Sequence, residues 1–157
     1  MTDRHIIQLT PENIANHGVC GYKNVKKHKE LQKKIAWFNR YYKKGLKIKI
    51  LLSGEGSYQG MLEYIPGEFA HRPVLAEGYM FIHCLFAGVK NEFKGRGYAS
   101  SLIDECIKDA REDDKLGVAV VTREGSFMAK DDIFLKKGFS LVDQVKAYLY
   151  PFMVFPC

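Results

Sequence analysis

The stretch with the clearest chemistry is Lys94-Gly95-Arg96-Gly97-Tyr98-Ala99, which runs on into Ser100-Ser101-Leu102-Ile103. An apolar, strand-like run, Tyr79 to Ala87, lies before it, and a second one, Val118-Ala119-Val120-Val121, lies after it. The order is strand, glycine-bearing turn, helix, strand. Small residues in such a turn let backbone N–H groups approach an anion, and the helix behind them adds the positive end of its dipole. The expected chemistry is a phosphate cradle at the start of a helix.

The elements that must position this cradle follow from hydrophobic spacing. His5 to Leu9 reads as a first strand, followed by a helix start with Thr10 as N-cap and Pro11 at the first helical position. His17-Gly18-Val19-Cys20-Gly21 breaks that helix as a loop. A second helix is expected from Lys27 to Lys43, with Leu31, Ile35, Phe38 and Tyr42 as its buried stripe. Its other faces carry Lys26, Lys27, Lys29, Lys33, Lys34, Arg40, Lys43 and Lys44. That is either a solvated face or a surface for an acidic partner or substrate. Leu46 to Leu52 alternates apolar residues with Lys47 and Lys49, the pattern of a half-buried strand, and Tyr58 to Ile65 returns as its hairpin partner. Glu68 to Gly78 is a longer excursion holding His71 and Arg72.

Tyr79 to Val89 is the long central strand. The helix Gly97–Arg111 buries Ala99, Leu102, Ile103, Cys106, Ile107 and Ala110 at helical spacing. Val118 to Thr122 is a near-continuous apolar strand, joined to the central one by a helix, so the two should be parallel and right-handed. Phe127 to Lys137 reads as a helix stopped by Gly138, and Phe139–Val142 and Lys146–Val154 as closing strands. The fold class is α+β: a mixed, mostly antiparallel sheet with one parallel β-α-β crossover and helices on both faces.

The chain has 157 residues, 46% hydrophobic and 27% charged, which suits one domain, residues 1–157, with a sizeable core. No apolar run approaches the roughly 20 residues of a membrane helix. Met1-Thr2-Asp3-Arg4-His5 lacks the pattern of a signal peptide, so a cytoplasmic protein with no membrane partner is expected. The net charge of +6 favours anionic ligands without choosing between nucleic acid and a phosphorylated cofactor. Aromatics do not alternate with the lysines of the 23–49 region as stacking platforms would, so no nucleic-acid partner is expected. Four cysteines form no C-x-x-C pair, which argues against a disulfide or zinc framework and leaves no metal site. Cys84 and Cys106 fall within apolar patterns as small hydrophobes, leaving Cys20 and Cys157 as the reachable thiols.

The glycine loop is not a Walker A sequence, because G-x-x-x-x-G-K-[ST] is absent. A Rossmann fingerprint fits poorly as well, since a hairpin system precedes the loop where a βαβ repeat belongs. The segment Lys94-x-x-Gly97-x-Ala99 instead resembles the acetyl-CoA-binding motif Q/R-x-x-G-x-G/A of the GCN5-related N-acetyltransferase (GNAT) superfamily. Val89-Lys90-Asn91-Glu92-Phe93 stands where that superfamily has V-x-P-x-x, and Phe134-Leu135-Lys136-Lys137-Gly138-Phe139 resembles its Y-x-K-x-G-F. Ala76 to Cys84, with Gly18 to Tyr22, is similar to the acetyltransferase module of the YoaP-like group within it. Some relatives carry a further C-terminal domain, so the end at Pro156-Cys157 is either natural or a boundary within a longer protein.

The resemblance implies a function and a site. The chain would be an N-acetyltransferase that moves acetyl from acetyl-CoA to an amine, either a small molecule or a peptide. Backbone N–H groups of Gly95, Arg96, Gly97, Tyr98 and Ala99 would hold the CoA pyrophosphate, with Lys94 in place of Gln or Arg. The pantetheine arm would meet the backbone of Ala87 and Val89, the Ala87 N–H donating to the acetyl carbonyl. Alternation along the strand puts His83, Leu85 and Ala87 on one face and Cys84 and Phe86 on the other. A base carboxylate of the histone-modifying branch lies four residues before the carbonyl-binding position, which here is His83. An imidazole, with its ordinary pKa of about 6.5, can serve as a base near neutrality. Glu63 on the neighbouring strand is the second candidate for base or amine recognition.

Phe134 replaces the tyrosine that serves the superfamily as general acid, and a phenylalanine donates no proton. Water or another donor such as Tyr148 would then serve the departing sulfur. The same substitution suits the alternative of a non-catalytic acyl-CoA-binding or sensing module. A basic nucleic-acid-associated domain is the remaining rival. Strand chemistry near the C-terminus suits a homodimer.

Overall fold

The computed structural model describes residues 4–18, 27–87, 97–122, 131–145 and 150–156. The strands are β1 (Arg4–Gln8), β2 (Lys47–Ser53), β3 (Tyr58–Pro66), β4 (Met80–Ala87), β5 (Gly117–Val121), β6 (Ser140–Val145) and β7 (Tyr150–Pro156). The helices are α1 (Ile14–His17), α2 (Lys29–Tyr42), α3 (Tyr98–Glu112) and α4 (Asp131–Lys136). All seven strands join one sheet in the order β1-β2-β3-β4-β5-β7-β6. Every neighbouring pair is antiparallel except β4 and β5, which are parallel and joined through α3. The expected mixed sheet with one crossover is therefore present.

Each face of the sheet has its own apolar layer. On one face, Leu102, Ile103, Cys106, Ile107 and Ala110 of α3 pack with Leu62, Met80, Ile82, Leu85, Val118 and Val120. Phe134 of α4 and Phe139 extend that layer, their rings edge-on at 5.2 Å. On the other face, Phe38 of α2 and Ile14 of α1 pack on Ile48, Ile50, Met61 and Ile65. The excursion after β3 covers the rest of this face, where Ala76 lies against Phe81 and Ala119. A helix wider in apolar contact than its predicted stripe explains α2: Trp37 and Tyr41 pack as well as Leu31, Ile35, Phe38 and Tyr42. Gly45, at φ +94°, ends α2 in a conformation that side chains resist, and a Cβ there would stand 2.8 Å from Pro66 Cγ.

Some expectations change. Thr10 does not cap a helix starting at Pro11. Thr10 and Asn13 exchange hydrogen bonds, Thr10 N–H to Asn13 Oδ1 at 2.7 Å and Asn13 N–H to Thr10 Oγ1 at 3.3 Å, and α1 begins only at Ile14, with Asn13 as its N-cap. The polar side of β2 does not face water either. It lies under α3, whose carboxylates neutralise it. Lys47 Nζ is 3.1 Å from Asp109 Oδ2, and Lys49 Nζ is 3.3 Å from Glu105 Oε2 and 3.5 Å from Asp109 Oδ2. Tyr64 donates its hydroxyl to Asp109 Oδ2 at 2.5 Å. Burial pushes the Asp109 pKa up, but the Tyr64 hydroxyl and the lysines outweigh it and hold the carboxyl below the ordinary aspartate value. Of the expected 127–137 helix, Asp131–Lys136 is helical and Lys137 already turns, while 127–130 lie outside the described residues.

Removing one partner from a buried charge network strands the others. Asp109→Ala should therefore cost about 3 kcal/mol in urea unfolding. Asp113→Ala, at a carboxylate 48% exposed and 3.7 Å from Lys47, should change stability by no more than about 0.5 kcal/mol.

Candidate active site

The site begins with an irregularity in the sheet. Glu63 pairs with Cys84 and Tyr64 with Ile82, so His83 is an extra residue with no opposite number on β3. Such a β-bulge breaks the alternation of side chains. Met80 and Ile82 face the α3 layer before it, and Leu85 and Ala87 face that layer after it. His83 therefore does not share a face with Leu85 and Ala87, as simple alternation predicts. It lies on the α2 side, its ring 5.6 Å from that of Phe81. Cys84 is exposed rather than a buried hydrophobe, and Phe86 is 47% exposed. The bulge moves both out of the core pattern.

His83 and Glu63, distant in sequence, meet here. The Glu63 carboxylate accepts from His83 Nδ1 through Oε2 at 3.1 Å and from Lys34 Nζ through Oε1 at 2.7 Å. The His83 and Glu63 side chains are 6% and 7% exposed. Burial raises the Glu63 pKa, but the His83 hydrogen bond and the Lys34 charge outweigh it, so the carboxyl titrates below its ordinary value and is ionised at neutral pH. His83 Nε2 accepts the backbone N–H of His71 at 3.0 Å. An amide can only donate, so the network assigns the His83 proton to Nδ1.

His71 is itself held by α2. Its Nε2 accepts the Trp37 indole N–H at 3.3 Å, and its ring stands edge-on to Tyr41 at 4.4 Å. Burial and the neighbouring His83 hold the His71 pKa below the ordinary imidazole value. Lys34 Nζ lies 3.8 Å above the Trp37 ring. Lys34, Trp37 and Tyr41 recur at helical spacing and share one side of α2. Sequence reasoning had Lys34 among solvated lysines, left Trp37 out of the buried stripe and gave His71 no role. A separation of 29 residues between Lys34 and Glu63, or 34 between Trp37 and His71, leaves no local signal to find.

Beside this cluster the sheet opens. The parallel ladder of β4 and β5 holds only Met80–Val118, Phe81–Ala119 and Ile82–Val120. From His83 to Ala87, β4 has β3 on one edge and no strand on the other among the described residues. Thr122 stands two residues beyond Val120, the last β5 position paired with β4. It is 2% exposed, and its Oγ1 has no hydrogen-bond partner among the described residues. At the same end of the sheet α3 begins. Gly97, its N-cap, has φ +74°, with nothing within 4 Å of where a Cβ would stand. No side chain among the described residues caps the helix, whose first intrahelical acceptor, Gly97 O, receives Ser101 N–H at 3.0 Å. The N–H groups of Tyr98, Ala99 and Ser100 thus have no intrahelical acceptor.

An open strand edge, an orphaned hydroxyl and an uncapped helix start fit an extended ligand with an anionic end. Gly97, Tyr98 and Ala99 from the predicted cradle stand at this helix start, and Ala87 stands on the open edge. Lys94, Gly95, Arg96, Val89, Lys90 and Tyr148 lie outside the described residues, as do Cys20 and Cys157. Phe134 is 1% exposed and packs in the α3 layer, as its apolar ring requires.

The ionised Glu63 couples the cluster to pH. Its folded pKa lies below the ordinary 4.5, so the stability it contributes is present above that value and is lost as pH falls through the folded pKa. In acid titrations followed by circular dichroism, the wild-type chain should lose stability below about pH 4.5 more steeply than Glu63→Gln.

No protein-family model matches the chain. It is 26% identical over 145 residues to the uncharacterized N-acetyltransferase YoaP of Bacillus subtilis, a match covering 90% of this chain and 56% of that protein. The chain thus spans little more than half the length of this relative. Among solved structures it is similar to the ribosomal-protein-alanine N-acetyltransferase of Brucella melitensis, with a TM-score of 0.64, 17% identity and coverage of 98% of this chain and 99% of that one. It is also similar to yncA of Salmonella typhimurium, solved with its cofactor acetyl-CoA, with a TM-score of 0.61, 16% identity and coverage of 98% and 91%. The chain has the fold of the GCN5-related N-acetyltransferase superfamily, with an N-acetyltransferase among its sequence relatives.

Proposed function

We propose that this chain is an acetyl-CoA-dependent N-acetyltransferase acting in the cytoplasm on the amine of a small molecule or peptide. The observation that carries the reading is the parting of β4 from β5 beyond Ile82 and Val120, next to the uncapped start of α3. Gly97, Tyr98 and Ala99, with Lys94, Gly95 and Arg96 before them, would hold the pyrophosphate through backbone N–H groups. Ala87, Val89 and the Thr122 hydroxyl would hold the pantetheine arm, the Ala87 N–H polarising the acetyl carbonyl. Acetyl-CoA supplies an acetyl group activated as a thioester.

In the transfer, the amine nitrogen bonds to the carbonyl carbon, the carbon–sulfur bond breaks and the ammonium proton must leave. His83 is the base in this reading. Glu63 orients it through Nδ1, so that Nε2 is the nitrogen that takes up the proton. The sulfur leaves as a thiolate, protonated by water or by Tyr148, because Phe134 offers no hydroxyl. Leu141 and Val142, exposed on the edge strand β6, support the homodimer. No helix among the described residues is long and apolar enough to cross a membrane.

The buried Phe134 favours one second reading, a module that binds acyl-CoA without catalysis. Calorimetric titration with acetyl-CoA followed by CoA-thiol release against a panel of primary amines separates the two. The enzyme reading expects both binding and amine-dependent release, and binding without release would leave the sensor. His83→Ala should lower kcat by about a hundredfold or more while changing acetyl-CoA affinity less than about threefold. Equal turnover in this variant would remove His83 from the mechanism.

A further inference from the structure

The nitrogen assigned to take the proton is covered. His83 Nε2 already accepts the His71 amide at 3.0 Å, Nδ1 is held by Glu63 at 3.1 Å, and the side chain is 6% exposed. An incoming amine cannot approach Nε2 while the His71 amide stays in place.

The covering segment is built with a fixed root and an exposed tip. At the root, Gly67 N–H donates to Tyr79 O at 2.7 Å, and a Cβ on Gly67 would stand 1.8 Å from Ala76 O, so the neck closes backbone to backbone. Ala76 is buried against Phe81 and Ala119. The tip, His71-Arg72-Pro73, is exposed. Ala70 and Val74 on either side of it pack against the Phe81–Ala119 cluster, and the tip itself is held by the bond to His83 together with α2: the Trp37 indole N–H on His71 Nε2 at 3.3 Å and the Tyr41 ring at 4.4 Å.

We propose that the tip is a latch over His83, that the acceptor amine reaches Nε2 by displacing the His71 amide, and that Trp37 is the positioning residue that sets how firmly the latch is held. The inference rests on the reading of His83 as the base. Acceptor binding then carries the cost of opening, and apparent affinity falls with the fraction of molecules in which the tip is lifted. The cofactor lies along the other edge of β4 and carries no such cost. The acceptor's KM should respond to the latch while that of acetyl-CoA does not.

The test uses the full chain with two readouts. The first is hydrogen exchange of the His71 amide by NMR. Protection is expected in the wild type, its loss in His83→Ala, and a decrease of about fivefold in Trp37→Phe, which keeps the ring and deletes one hydrogen-bond donor. A His71 amide that exchanges as fast in the wild type as in His83→Ala overturns the proposal. The second is CoA-thiol release at saturating acetyl-CoA with the same primary-amine panel. Trp37→Phe should lower the amine KM about threefold to fivefold and leave the acetyl-CoA KM unchanged. An amine KM that stays the same or rises overturns the latch. If no amine of the panel reacts, the enzyme reading fails, and the exchange experiment still decides whether His71 covers His83.

Discussion

One extra residue in β4 organises the site. With Glu63 opposite Cys84 and Tyr64 opposite Ile82, the sheet absorbs His83 as a bulge, and the ladder to β5 ends at the residue before it. Two consequences follow from that local change in twist and parity. The strand beyond the bulge offers its β5 edge to a ligand. Cys84 falls on the same α2 side as His83, opposite Glu63, so that Glu63, Lys34 and His71 meet around the imidazole. Without the bulge, the alternation that puts Met80 and Ile82 under α3 would carry on to Cys84 and Phe86, and Leu85 and Ala87 would fall on the α2 side.

The sheet buries a carboxylate on each face, and the contrast separates structure from chemistry. Asp109 lies under α3 with Tyr64, Lys47 and Lys49 around it. Every partner there donates to the one carboxylate, so the network braces the helix against β2 and β3. Glu63 lies on the α2 side with Lys34 and His83. One partner there is an imidazole, which both donates to the carboxylate and accepts the His71 amide. In the reading proposed above, the histidine beside Glu63, and not burial alone, distinguishes the two carboxylates.

The basic helix reads differently once folded. As sequence, α2 is a lysine-rich amphipathic segment whose charges suggest a solvated face. In the fold, Lys34, Trp37 and Tyr41 face the site from one side of that helix, the first through Glu63 and the other two through His71. Helical spacing makes these residues neighbours, but only the path of the 67–79 excursion brings something for them to hold.

Much of the architecture is legible in the chain before folding. The α3 stripe of Leu102, Ile103, Cys106, Ile107 and Ala110 is buried as its spacing requires. The hairpin of β2 and β3 and the parallel crossover follow from period-2 runs and a helix between strands, because amphipathic periodicity and short-range connection are local properties. The glycine turn is legible for the same reason, since a left-handed backbone at Gly97 needs a residue without Cβ. The bulge at His83, the exposure of Cys84 and the Lys34–Glu63–His83–His71 network belong to the tertiary structure. A bulge depends on the register between two strands, and alternation within one strand carries no information about a partner that has one residue fewer. The glycine turn at the start of α3 could thus be read along the chain, whereas the surroundings of the histidine were decided by contacts between segments that only folding brings together.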